Sequence, residues 1–255
     1  MHGIDGTVAI VTGAGSGIGR ATAERLGAEG ALVVVNDINR ERAAETVDRI
    51  EANGGRSVTA VADVTDRSAI RSMADDIAER YGGIDILVNN AGWDRVQWFL
   101  DQDPTEWDRI IDINFRGQLN CSWAVGRHMR TAESGRIVAI ASDAGRVGSS
   151  GEAVYAGTKG GIIAFTKTLA RELARYDVTC NIVSPGPADT ALLSDMRSES
   201  ELGEAILDRV AESIPLGHIA DPQDVAGAVA FFASDDAAYV TGQVLSVSGG
   251  LTMVD

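Results

Sequence analysis

The largely apolar run Thr7-Val8-Ala9-Ile10-Val11 feeds directly into Thr12-Gly13-Ala14-Gly15-Ser16-Gly17-Ile18-Gly19, and an amphipathic stretch from Arg20 to Glu29 follows, closed by Gly30. An apolar run, a glycine-rich turn and a helical stretch specify strand, tight turn and helix in that order. The pattern then repeats. Ala31-Leu32-Val33-Val34-Val35 is a second apolar run, ending at Asn36-Asp37. The spacing predicts helices near 39–53, 66–81, 104–130, 153–176 and 222–234, and strands over 57–62, 84–89, 136–141, 178–183 and 243–247. A polar excursion occupies 188–213.

Apolar strands separated by helices belong to a parallel sheet covered on both faces. Right-handed crossovers make it a doubly wound, Rossmann-like α/β sheet, with its ligand crevice at the carboxyl ends of the strands. No Gly/Ser/Pro-rich linker, low-complexity tract or repeat divides residues 1–255, so a single domain is expected. The segment 188–213 is either a substrate lid that orders on binding or a variable surface excursion.

Composition narrows the chemistry. Hydrophobic content of 45% and charged content of 23% suit a soluble globular protein. No basic region leads into a long apolar stretch at Met1-His2-Gly3-Ile4-Asp5-Gly6, and no run approaches the ~20 apolar residues of a membrane span. The expected location is the cytoplasm, with no membrane partner. A net charge of −15 argues against nucleic acid, because neutralising phosphates needs clustered Lys and Arg. Cys121 and Cys180 fit no metal spacing and read as packed, reduced thiols. His2, His128 and His218 alone give little to build a histidine-based triad or a metal site from, so none is expected.

The first turn reads Gly-x-x-x-Gly-x-Gly at Gly13, Gly17 and Gly19, with Ile18 where the commoner dinucleotide fingerprint would place its last glycine. The physical need is the same: no Cβ where backbone approaches a pyrophosphate, and helix N–H groups aimed at its charge. Asp37 ends the second strand 18 residues past Gly19, where a carboxylate accepts ribose hydroxyls and repels a 2′-phosphate. Ile38 rather than a base follows it, which favours NAD over NADP, with Arg40 the nearby counter-indication. Asp63-Val64, Asn89-Asn90-Ala91-Gly92 and Pro185-Gly186 mark further strand ends on the same edge. Loop chemistry accounts for any one of these; four on one edge point to a ligand.

Tyr155 lies 13 residues after Ser142 and opens the segment Tyr155-Ala156-Gly157-Thr158-Lys159. Residues four apart share a helix face, so the phenol and the ammonium can address one spot. A free phenol titrates near ~10. A lysine ~5 Å away at an effective dielectric of ~20 favours the phenolate by roughly 3 kcal/mol, about two pKa units. Such a tyrosine can exchange a proton with an alcohol near neutral pH. Alone, the spacing is weak, and a helix with one aromatic and one solvated lysine gives it equally well.

The segments TGAGSGIG, NNAG, Asn114, Ser142, YAGTK and PGPADT, in this order over essentially the whole chain, resemble the classical short-chain dehydrogenase/reductase family. The resemblance implies a homotetrameric or dimeric NAD(P)-dependent oxidoreductase, of which the tetramer is the expected form here. By position it implies Tyr155 as acid/base, Ser142 holding the substrate oxygen, Lys159 lowering the tyrosine pKa and binding the nicotinamide ribose, and Asn114 holding a relay water. It places Gly13, Ser16, Gly17, Ile18 and Gly19 at the pyrophosphate, and Asp63 and Val64 at the adenine. Asn90, Ala91 and Gly92 fall in the adenosine ribose region, and Pro185, Gly186 and Thr190 by the carboxamide. Gly157-Thr158 in place of Ala-Ser, and Pro187 after Pro-Gly, are the departures; neither removes a catalytic group.

NNAGWD, ASDAGRVGSSGEAVYAGTKGG, PGPADTALL and GQVLSVSGGLTM resemble, more narrowly, the family's branch of 2-hydroxycyclohexanecarboxyl-CoA dehydrogenases. That implies a hydroxyacyl-CoA substrate, with Trp93, Trp98 and Val147 as an apolar wall and Arg146, or less readily Arg95, pairing with its anionic end. A 3-oxoacyl thioester reductase remains the alternative enzyme, and an NAD-binding redox sensor without turnover the alternative outside catalysis. Trp107, Trp123, Phe165 and Leu173, on the two long helices, are the expected subunit contacts.

Overall fold

The computed structural model describes residues 1–198 and 201–254. Strand and helix alternate from the first turn: β1 (Val8–Thr12), α1 (Gly17–Ala28), β2 (Leu32–Asp37), α2 (Arg40–Ala52), β3 (Arg56–Val61), α3 (Arg67–Tyr81) and β4 (Ile86–Asn89). The second half continues with α4 (Pro104–Ile111), α5 (Gly117–Ala132), β5 (Gly135–Ile140), the short α6 (Ala144–Val147), α7 (Ala153–Leu173) and β6 (Val178–Pro185). It closes with α8 (Ala191–Ser198), α9 (Glu201–Glu212), α10 (Pro222–Ala233) and β7 (Val244–Val247). All strand pairs are parallel, in the order β3-β2-β1-β4-β5-β6-β7. This is the doubly wound sheet expected from the sequence.

Side chains alternate faces along a strand. Ala9 and Val11 of β1 therefore pack into one core with Leu26 of α1, Ile50 of α2 and Val225 and Val229 of α10. Val8 and Ile10 pack into the other with Ile70 of α3, Cys121 and Val125 of α5 and Ala170 of α7. Cys121 and Cys180 are free and buried in this second core, and burial pushes both thiols up to about 12. The chain winds outward one way through β2 and β3, then returns past β1 to β4. The crevice opens where this order reverses.

Two elements depart from the sequence reading. The helix expected over 104–130 is broken by a π-helical stretch at Asp112–Arg116. Asn114 causes it locally: its side-chain amide donates to the Ile110 carbonyl at 2.9 Å, the acceptor its own backbone N–H would use in a regular α-helix. Such π turns concentrate at functional sites. The polar excursion over 188–213 contains α8 and α9, whose Leu192, Leu193, Met196, Leu202, Ile206 and Leu207 cluster on Val96. Residues 199 and 200 of that segment lie outside the described residues.

The proposed contact residues also sort differently. Leu173 is buried in the second core. Trp107 stacks on Phe99 at 5.1 Å and Phe165 meets Phe115 edge-on at 6.4 Å, so both have partners within the chain. Trp123 remains 47% exposed on α5, with the Arg127 guanidinium 5.0 Å from its ring centre. No helix among the described residues is long and apolar enough to cross a membrane.

Ile10 is fully buried in the middle of the sheet, paired with Val34 and Leu87 on the two flanking strands. Ile10→Ala should cost about 2–5 kcal/mol and Ile10→Val about 0.5–1.5 kcal/mol, read as graded losses in urea denaturation.

Candidate active site

A cavity of about 910 Å³ occupies the carboxyl edge of the sheet. One half is lined by Gly13, Ser16, Gly17, Ile18, Asp37, Asp63, Val64, Asn90, Ala91 and Gly92. Backbone crowding demands the glycines. Gly13 has φ +62° and lies against Ala91, where a Cβ would come within 2.9 Å of its Cα; a Cβ on Gly19 would sit 2.2 Å from the Gly13 carbonyl oxygen. Gly19 thus sits behind the turn rather than in the cavity wall, holding its shape.

The start of α1 differs from those of its neighbours. Asn39, Asp66, Asp103 and Asp221 cap α2, α3, α4 and α10 with side-chain oxygens. Ser16 precedes α1 with no such cap, and no acidic residue lies in its first turn. Free N–H groups at a positive dipole end fit an anion, as a pyrophosphate requires. At the far end Asp37 accepts the Gly15 N–H at 2.9 Å and the Asn39 N–H at 2.8 Å, which fixes its carboxylate against the turn. A nicotinamide dinucleotide therefore fits this half. Asn90, also in the lining, donates its amide to the Thr12 and Gly13 carbonyls at 2.9 and 3.2 Å. Asp63 accepts the Thr65 N–H and hydroxyl, both at 2.8 Å, leaving its other oxygen open.

The other half gathers Ser142, Tyr155, Lys159, Trp93, Arg109, Glu152, Pro185, Gly186 and Thr190. Ser142 stands just beyond β5 and Tyr155 in the first turn of α7, and both line the cavity. Lys159, 2% exposed, donates to the Ile140 carbonyl at 3.0 Å, with its ammonium 5.3 Å from the Tyr155 ring centre. Burial lowers Lys159 to about 8, against the opposing charge of Asp94. Burial raises Tyr155 well above the usual phenol value; Asp94 and then Glu152 add to the rise, and the Ser142 hydrogen bond opposes it. The lowering expected from Lys159 is thus outweighed, and the free protein holds a phenol ready to donate. Asn114 is fully buried; it donates to the Trp93 carbonyl at 2.6 Å and accepts the Trp93 N–H at 3.3 Å. Its side chain pins the loop after β4.

Arg146 is not at this cavity. It donates to the Ser246 hydroxyl at 2.7 Å and the Val254 carbonyl at 2.9 Å, tying α6 to β7 and the C-terminal residues. Arg95 pairs with Glu106, and Trp98 is half-exposed outside the lining. Two other arginines line this half of the cavity: Arg109 of α4, its guanidinium 3.8 Å from the Trp93 ring centre, and Arg209 of α9. Sequence reasoning passed over Arg109, Asp94 and Glu152. The only signal for the acids was position: Asp94 follows the Asn-Asn-Ala-Gly-Trp strand end, and Glu152 stands three residues before Tyr155.

A model described as enoyl-(acyl carrier protein) reductase matches residues 13–252. The chain is 40% identical over 250 residues to the 3-oxoacyl-[acyl-carrier-protein] reductase of Escherichia coli (strain K12), covering 98% of this chain and 99% of that one. It belongs to the short-chain dehydrogenase/reductase family. The (2S)-[(R)-hydroxy(phenyl)methyl]succinyl-CoA dehydrogenase subunit BbsD of Thauera aromatica is 39% identical over 251 residues, covering 98% of each chain. The crystal structure of levodione reductase superposes with a TM-score of 0.92 at 31% identity, over 96% of this chain and 97% of that one. Members of the short-chain dehydrogenase/reductase family interconvert alcohol and ketone with a nicotinamide dinucleotide, and this chain is such an oxidoreductase.

Asp94 is 3% exposed, and neither of its carboxyl oxygens has a hydrogen-bond partner among the described residues. Burial, followed by the charge and contact of Glu152, raises it from 3.8 to about 8. The folded state therefore binds the extra proton between those values, and stability falls as pH rises through the window. Asp94→Asn should flatten that fall, read from denaturation midpoints between about pH 4 and pH 8.

Proposed function

We propose that this enzyme reversibly oxidises the secondary alcohol of a hydroxyacyl thioester, of the 2-hydroxycyclohexanecarboxyl-CoA type, using NAD. The observation that carries the thioester reading is Arg109. No carboxylate among the described residues pairs with it, and its guanidinium carbon lies over the Trp93 ring, 3.8 Å from the ring centre, at the cavity wall. A stacked guanidinium suits an anionic group beside an apolar one. Val96, Val147, Leu192, Leu193, Met196 and Leu207 supply the apolar surface for a ring or acyl chain, with α8 and α9 as the lid. The identity to BbsD, named for a CoA thioester, agrees with this reading.

Bound NAD supplies the hydride acceptor. Ser142 and Tyr155 hold the substrate oxygen, and Tyr155 takes the hydroxyl proton as the carbonyl forms. Lys159 favours the charged phenoxide while that proton is held, and Asn114 keeps the Trp93 loop in place. Catalysis on this chain's side is positioning plus general acid–base work. A second reading, reduction of a 3-oxoacyl thioester, is favoured by the 40% identity to the Escherichia coli reductase and runs through the same residues in reverse. Initial rates on hydroxyacyl-CoA thioesters, 3-oxoacyl thioesters and their free acids separate the two. The exposed Trp123 supports assembly as a homotetramer through the α5 face.

Three outcomes test the reading. Tyr155→Phe should lower turnover by about 10²–10⁴-fold with NAD affinity nearly unchanged, because the phenol acts on substrate. Arg109→Ala should raise KM for the CoA thioester about ten- to a hundredfold, a loss of roughly 1.5–3 kcal/mol, with a much smaller effect on a neutral alcohol. For the cofactor, Asp37 with the exposed Ile38 after it supports NAD, while Arg42, also in the lining, is the cation on that end. Asp37→Ala with Ile38→Arg should move preference toward NADP; a wild-type enzyme that already prefers NADP overturns the role given to Asp37.

A further inference from the structure

The segment after β7 folds back on the cavity. Gly249 and Gly250, at φ +61° and +87°, turn the chain where a side chain would be strained, and Leu251 and Thr252 then enter the cavity lining. Met253 and Val254 beyond them are exposed, so this strap has little apolar burial of its own to hold it. Polar ties do so instead. Arg146 of α6 donates one guanidinium N–H to the Val254 carbonyl at 2.9 Å and another to the Ser246 hydroxyl at 2.7 Å. A guanidinium cannot accept, so the Ser246 proton goes to its other partner, the Asp143 carboxylate. Asp143 directly follows Ser142, is 4% exposed, and donates its backbone N–H to the Pro185 carbonyl at 3.0 Å. Its second carboxyl oxygen has no hydrogen-bond partner among the described residues. A buried anion and a guanidinium are thus joined through one hydroxyl, and Asp143 roots these bonds at the end of the sheet.

We propose that Asp143, Ser246 and Arg146 form a latch that holds the strap Leu251–Val254 as a wall of the substrate cavity. Arg146 and Ser246 are absent from the cavity lining themselves. They are positioning residues that act through Leu251 and Thr252. The Arg146 charge is used within the chain and does not read an anionic end of the substrate. Release of the latch therefore loosens the wall for charged and neutral substrates alike, whereas loss of a phosphate contact would spare a neutral one.

The strap's role as a wall rests on the cavity taking the substrate proposed above, so one arm of the test needs no turnover. The Leu251 and Thr252 amides donate to the Ser248 carbonyl at 3.1 Å and the Ser248 hydroxyl at 3.3 Å. In hydrogen–deuterium exchange of the whole protein they should exchange about ten- to a hundredfold faster in Arg146→Ala than in wild type. Ser246→Ala should do the same, and serves if the first variant fails to fold. Arg146→Lys, which keeps the charge but not the fork, should fall between. In the other arm, Arg146→Ala should raise KM about tenfold for both 2-hydroxycyclohexanecarboxyl-CoA and cyclohexanol, with kcat little changed. In a Leu251→Ala background that increase should shrink, because a residue through which the latch acts is gone. Strap amides that exchange as in wild type overturn the latch, as do fully additive effects or a rise in KM confined to the CoA thioester. If wild type oxidises neither substrate, the substrate reading fails and the exchange arm alone decides the latch.

Discussion

Thr12 joins the two halves of the molecule. It ends β1, and its hydroxyl accepts the backbone N–H groups of Asn90 and Ala91 at 3.0 and 3.1 Å. Asn90 returns the bond through its amide to the Thr12 and Gly13 carbonyls. This clasp lies where the strand order reverses, so it fixes the glycine turn of the first half against the strand-end loop of the second. The nucleotide half of the cavity is built on one side of it. Trp93 and Asp94 follow from the other, a few residues along the same loop.

Beyond the clasp, electrostatics in a buried space decide what the catalytic groups do. Lys159 and Tyr155 share a helix face, as four-residue spacing requires, but neither keeps its ordinary proton affinity. Burial acts in opposite senses on the two, because it disfavours the charged form of each. Asp94 then adds charge that holds the lysine proton and opposes loss of the tyrosine proton. Pairwise reasoning from Tyr155 and Lys159 alone omits both the desolvation and the acids.

The alternation of apolar runs with amphipathic stretches made the seven-stranded parallel sheet legible, because strands buried on both faces are apolar throughout. The glycine turn, Asp37, Ser142, Tyr155 and Lys159 were legible for a related reason: each stands at a strand end or helix start whose position follows from that alternation. Arg146 looked equally well placed, four residues past Ser142. Its long side chain turned to Ser246 and Val254, partners a hundred residues away that no local pattern announces.

Sequence by itself determined the fold class and the edge of the sheet that carries the cavity, since strand burial and glycine geometry are local requirements repeated along the chain. Only the tertiary structure decided that Asn114 breaks its helix to hold the Trp93 loop, that Arg109 and not Arg146 lines the cavity, and that Asp94 is buried in that same loop. These depend on which distant segments fold into contact and on how much water they exclude, and neither is written in the spacing of residues along one element.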